Sequence, residues 1–333
     1  MADDYYCHPG DLELIPDGIQ LLRVGPNGTP FPDSVDYTVI PKSVSSLVLD
    51  HCGFDQSTDR LPDHLERLVI IGAKNSDYPL IIPEGDGSFR TLKIEYCKFT
   101  TLVGVPSTIK NFVLDACNDL VSICQLPPRM EKVMISSCRN LPSLDFLPRE
   151  FVAELLIEDL NPVSLEGMTQ VVGSLELKYL DLNELSELPK VKDLLSIEYC
   201  ELERSFEILH RETKKVHLYQ MDAEVSGLPQ ELESLTIISG LQKSLEGLPQ
   251  GLNDLTLIEM EDLESYQGIP MGLKHLVIDQ VPKPTDLPRL FWLITAAIDY
   301  AVTYDGFEYE NGIEYMKDNA RWLSQKKKGA VHS

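Results

Sequence analysis

Positive charge is scarce in this chain. Its 333 residues hold 29 Lys and Arg against 53 Asp and Glu, a formal net charge of -24. Such a surface repels nucleic acid and anionic lipid, and its field draws in basic partners. Long apolar runs are missing too: none reaches the roughly 18 residues that a membrane-spanning helix needs. The opening MADDYYCHPG carries acid where a secretory leader carries base and an apolar core. The expectation is a cytoplasmic protein, with secretion into a host cell without a cleavable signal as the alternative. Cysteine number seven and none stands in a CxxC pair, which argues against a disulfide framework and a zinc ribbon. No Walker loop, HExxH or GxSxG is present, and the histidines are not at metal-ligand spacing. No cofactor, no metal and no enzymatic activity are therefore expected. The lone sequon Asn27-Gly28-Thr29 is expected to be chance.

What is present is a repeat. The element L-x-x-L-x-[IL]-x-x-C recurs about every 21 residues, often followed by a turn of the form LPxxL. Its second Leu position is filled by Leu22, Leu47, Leu68, Leu92, Phe112, Val133, Leu155, Leu175, Leu195, Val216, Leu235, Leu255 and Leu276, with Leu293 a degenerate fourteenth. The Leu-x-Leu core predicts a short strand with both leucines inward and the residues between them outward. One turn cannot bury its leucines alone, so successive turns must stack. The period is that of leucine-rich repeats. The predicted fold is an α/β-type repeat protein, mostly β: a leucine-rich-repeat solenoid with a curved parallel sheet. Repeats this short leave no room for a helix opposite the sheet, which predicts extended or 3-10 backbone there, led by prolines such as Pro127, Pro229 and Pro249.

The cysteines fit the repeat. Cys52, Cys97, Cys117, Cys138 and Cys200 all occupy its ninth position, where a small side chain turns inward and bonds backbone groups of adjacent turns. Residues 1–13 are read as an N-terminal cap and 14–295 as 13 to 14 repeats. Residues 296–333 form a C-terminal cap with a basic tail, Lys326-Lys327-Lys328. Within that cap Ile313, Tyr315, Met316, Trp322 and Leu323 predict an amphipathic helix over about 309–326.

The phrase Leu61-Pro62-Asp63-His64-Leu65-Glu66-Arg67-Leu68-Val69-Ile70 returns as Leu228-Pro229-Gln230-Glu231-Leu232-Glu233-Ser234-Leu235-Thr236-Ile237. It resembles the short repeats of YopM-type and IpaH-type bacterial effectors. Residues 41–65 are also similar to FNIP-type repeats. The resemblance covers roughly 14–295 and implies protein recognition. It carries no catalytic ligase domain, because only about 38 residues follow the repeats. Cys117-Asn118-Asp119 matches the Cys-x-Asp of that ligase, but Cys117 sits at the ladder position of a repeat.

The outward positions define a candidate face. Val113, Met134 and Leu156 fall on consecutive rungs at position 5 and are expected to be exposed, an arrangement typical of contact surfaces. Position 7 places Glu95, Asp115, Glu158, Glu198 and Tyr219 beside that stripe; position 8 adds Tyr96, Tyr179 and Tyr199. Lys178, between Glu158 and Glu198, reads equally as part of a plain stabilising ladder. The functional expectation is a monomeric protein–protein interaction module that binds a basic protein through this face, as an inhibitor or regulator. The alternative is an effector or adaptor acting on a host protein.

Overall fold

The computed structural model describes residues 4–28, 35–51, 61–73, 79–82, 84–161, 171–183, 188–202, 206–221, 225–270, 272–281, 302–304 and 307–309. The chain divides into two compact units, Met1–Gly173 and Ser174–Ser333. In both it is coiled as a mostly-β parallel solenoid, about 11 turns in all, with almost no helix.

The first unit holds β1 (Asp4–Cys7), β2 (Leu21–Val24), β3 (Ser46–Asp50), β4 (Arg67–Ile71), β5 (Leu80–Ile81), β6 (Thr91–Glu95), β7 (Thr101–Val103), β8 (Asn111–Asp115), β9 (Ser122–Ile123), β10 (Arg129–Ser136) and β11 (Phe151–Glu158). Strands β1, β2, β3, β4, β6, β8, β10 and β11 pair in that order, all parallel. Strands β5, β7 and β9 make a separate small parallel sheet. Strand β12 (Val171–Lys178) runs across the unit boundary. The second unit continues with β13 (Lys190–Glu198), β14 (Lys215–Tyr219), β15 (Ser234–Ile238), β16 (Asp254–Ile258), β17 (His275–Asp279), β18 (Val302–Tyr304) and β19 (Phe307–Tyr309). Pairing is parallel from β13 through β18, and β19 turns back antiparallel on β18.

The core follows the repeat. All thirteen second-Leu positions from Leu22 to Leu276 lie in strands, and none is more than 2% exposed. The side chains two residues on, from Val24 to Ile278, are equally buried. Register aligns like with like, Leu47 with Leu68 and Leu235 with Leu255, so each inward column runs along the coil. Burying each such side chain contributes about 2 kcal/mol. The proline motif is a tight turn. The N–H of Val44, Leu232 and Leu252 donates to the carbonyl of Pro41, Pro229 and Pro249, three residues back. Each of those fourth residues is buried. Away from the long ladder the backbone is extended, as in β5, β7 and β9, or in 3-10 turns at Pro9–Leu14, Tyr37–Val39 and Phe206–Ile208.

One feature of the turns from the Leu47 repeat to the Leu276 repeat has no counterpart in the repeat's consensus. The residue at position 8, just past each strand, is left-handed: His51, Tyr96, Ala116, Ser137, Asp159, Tyr179, Tyr199, Gln220, Ser239, Glu259 and Gln280 all have φ between 47° and 54°. Gly72 fills the same position at φ 65°. Its N–H stays in the ladder. Tyr96 N donates to Asp115 O at 3.0 Å, Ala116 N to Ser136 O at 3.0 Å and Tyr199 N to Tyr219 O at 3.0 Å. The left-handed step then swings position 9 into the core. There Cys97 Sγ donates to Glu95 O at 3.2 Å and Cys117 Sγ to Asp115 O at 3.3 Å. Cys200 Sγ donates to Glu198 O at 3.3 Å and to Leu177 O, one turn back, at 3.5 Å. Hydrogen bonding to the Cys138 and Cys97 thiols, with burial, pushes the Cys117 thiol up. Burial pushes Cys200 up to about 11. The six described cysteines are free thiols; Cys52 lies outside the described residues.

The ends differ from expectation. The residues read as an N-terminal cap include β1, itself a strand of the sheet, because Tyr5 pairs with Leu22 in the ordinary register. At the other end the strand beside β17 is β18, with Val302 opposite Leu276. The rung expected at Leu293 lies outside the described residues. The expected helix over 309–326 begins on Tyr309, a residue of β19; its remainder, with the Lys326–Lys328 tail, lies outside the described residues. A C-terminal helical cap is not supported.

Two outcomes test this packing. Ala116→Val puts a β-branched residue at φ 52° and should lower stability in urea by about 1–3 kcal/mol, whereas Ala116→Gly should leave it unchanged or raise it. Iodoacetamide on the native protein at pH 8 should label half-buried Cys124 well before Cys97, Cys117, Cys138 and Cys200, as read by peptide mass spectrometry.

Candidate interaction face

The candidate residues fall into two groups, one in each unit. In the first, register places Val113, Met134 and Leu156 side by side on β8, β10 and β11. Their flanking column runs Glu95, Asp115, Ser136, Glu158 along adjacent rungs. Expected to be exposed, the three apolar side chains are half-buried. Neighbours in a parallel ladder sit only about 4.8 Å apart and cover one another's flanks. The carboxylates are partly answered locally. Lys93 Nζ is 2.8 Å from Glu95 Oε1, and Ser136 Oγ donates to Glu158 Oε2 at 3.2 Å. For Asp115 no cation lies within ion-pair distance among the described residues. Tyr96, directly after Glu95, is 60% exposed.

In the second unit the aromatics meet. Tyr179 and Tyr199, on successive turns, stack with ring centroids 4.9 Å apart and an interplanar angle of 11°. Tyr219 closes on Tyr199 edge-on, also at 4.9 Å. Tyr179 is 51% exposed and Tyr199 36%. A hydrogen bond to Tyr219, desolvation and the negative charge nearby push the Tyr199 phenol up to about 12. Beside the stack Lys178 Nζ sits 2.6 Å from Glu176 and 3.1 Å from Glu198. These hydrogen bonds, that to Glu176 first, hold the ammonium above the ordinary lysine range. Lys178 thus pairs with Glu198, one of the two carboxylates of the ladder reading, and with Glu176 on its own strand in place of Glu158. Burial lowers the His217 imidazole on the next strand. The outward column continues from Tyr219 to Ile238 and Ile258.

Two surface features escaped the repeat pattern. Asp181 and Glu201 form a lateral bridge on successive turns and are both exposed; in sequence they stand two residues after Tyr179 and Tyr199, a spacing that could have revealed them. The small sheet of β5, β7 and β9 exposes Ile81 and its register partner Val103, with Val121 just before β9. Strands of two or three residues between the main repeats leave too little periodicity to find.

Among the described residues no group of three or more His, Cys, Asp or Glu is placed to hold a metal ion, and no helix is long and apolar enough to cross a membrane. No protein-family model, no curated protein and no solved structure matches the chain.

Tyr96 tests whether these side chains serve the fold. It is mostly exposed and stands at φ 54°. Tyr96→Gly removes the left-handed penalty and little packing, so stability in urea should hold or rise, by up to about 1 kcal/mol. A clear loss of stability would make Tyr96 a structural residue.

Proposed function

We propose that the chain is a leucine-rich-repeat interaction module that binds a basic protein through the outward face of its strands and acts as an inhibitor or regulator of that partner. The observation that carries this reading is the conformation of the exposed tyrosines. A left-handed non-glycine residue costs about 1 kcal/mol or more. The coil meets the same requirement with Gly72, Ala116 and Ser137. Large aromatic rings at Tyr96, Tyr179 and Tyr199 add exposed area at positions where the fold needs only a backbone N–H. Exposed aromatic rings that the backbone step does not require suit a contact surface, and tyrosine is enriched among the residues that dominate interface energies. The net charge of -24 favours basic partners and speeds their approach.

A second reading, an adaptor joining two partners, is favoured by one specific observation: exposed Ile81 and Val103 on the small sheet, with Val121 just before its third strand, offer a separate apolar surface.

The full chain, immobilised in an extract of its source cells, should retain a basic protein. Affinity for that protein should fall by about 2 kcal/mol with Tyr96→Ala or Tyr199→Ala, fall less with Met134→Ser, and stay unchanged with Glu246→Ala. Equal affinity in all four variants, each folded, would move the contact elsewhere.

A further inference from the structure

Within the second unit, carboxylates precede and follow the stacked tyrosines along each turn. Before them come Glu176 and Glu198 with their shared Lys178. Two residues after them, Asp181 and Glu201 are bridged backbone to backbone on successive turns. The order along each turn explains this layout. Position 7 points outward, the left-handed position 8 carries the tyrosine, and position 9, Leu180 or Cys200, is buried. Position 10, Asp181 or Glu201, is exposed again. Repeating the pattern on successive turns makes three short parallel columns: acid and lysine, tyrosine, acid. Four carboxylates face one ammonium. Asp181 accepts a hydrogen bond from the Asn183 N–H at 2.9 Å, but neither it nor Glu201 is in an ion pair among the described residues, and like charges on adjacent rungs destabilise each other. An incoming cation would relieve that repulsion. The stack covers one face of the Tyr179 ring, and about half of that residue stays exposed.

We propose that this ledge is a seat for an arginine side chain of a basic protein partner, its guanidinium lying against the Tyr179–Tyr199 stack and hydrogen-bonded to Asp181 and Glu201. This rests on the protein-binding reading above and names the group recognised. Arginine fits better than lysine for two reasons. Its planar guanidinium stacks on aromatic rings while offering donors in its own plane to flanking carboxylates. It is also more weakly hydrated than an ammonium, so seating it forfeits less water.

The test uses the folded full chain and two labelled nonapeptides, one of alternating arginine and serine and one of alternating lysine and serine, titrated at physiological salt. The arginine peptide should bind at least fivefold more tightly than the lysine peptide. Asp181→Asn with Glu201→Gln should weaken the arginine peptide at least fivefold, and so should Tyr179→Leu with Tyr199→Leu. Glu246→Gln with Glu261→Gln removes the same net charge from exposed positions elsewhere in the unit and should change binding less than twofold. Equal affinity for the two peptides, or equal losses in the two carboxylate pairs, would reduce the binding to generic attraction and overturn the proposal. The exposed carboxylate pairs keep the test decisive if the tyrosine pair fails to fold. If the arginine peptide behaves generically while a captured protein partner still depends on Tyr96 and Tyr199, the arginine seat falls and the protein-binding reading stands.

Discussion

The coil depends on a hydrogen bond made by a residue in an uncomfortable conformation. In ten turns among the described residues the position-8 N–H donates to the position-7 carbonyl of the next turn, as His51 does to Ile71 and Glu259 to Asp279. A residue continuing the strand would keep the ladder but leave position 9 unable to turn inward. The left-handed step does both: it retains the bond and aims position 9 at the core. The buried thiols of Cys97, Cys117, Cys138 and Cys200 follow from that geometry. So do the turns after it, in which Leu120, Leu141 and Leu263 close three residues later onto Cys117, Cys138 and Met260.

The same step sorts the surface. Position 8 is outward and strained, so its side chain is free of packing duties, and its identity varies from glycine to tyrosine. The ladder repeats it with a near-constant offset, so equivalent side chains on successive turns become neighbours. Two tyrosines one repeat apart become a stack, and two acids one repeat apart become a repelling pair. A charged or aromatic column on such a coil is an array whose spacing is set by the backbone.

Much of the fold is legible in the sequence, and for one reason. Leu22 through Leu276 recur at a period that only stacking turns can satisfy, and the strand alternation around each fixes which neighbours face out. The inward role of Cys97, Cys117, Cys138 and Cys200 is legible for the same reason, since they hold a fixed offset from those leucines. The left-handed residues are not. Glycine and asparagine signal that conformation, whereas Tyr96, Gln220 and Glu259 resemble ordinary surface positions; tertiary hydrogen bonding overrides local preference here. Strand β1 escapes because Tyr5 and Cys7 replace the inward apolar pair of the repeat, and β18 because Val302-Thr303-Tyr304 lacks the repeat altogether. On the candidate face, columns are readable but depth is not. Val113, Met134 and Leu156 prove half-buried because their neighbours shield them, and the stacking of Tyr179 on Tyr199 depends on the strained backbone beneath them.

Site-resolved amide hydrogen exchange on the native full chain tests the central claim most directly. If the left-handed residues belong to the ladder, the amides of Tyr96, Ala116, Tyr199 and Ser239 should exchange as slowly as the strand amides of Leu92, Phe112, Leu195 and Leu235. Exchange of those four at the rate of exposed turn amides such as Asn118 and Asp119, with the strand amides still protected, would contradict it.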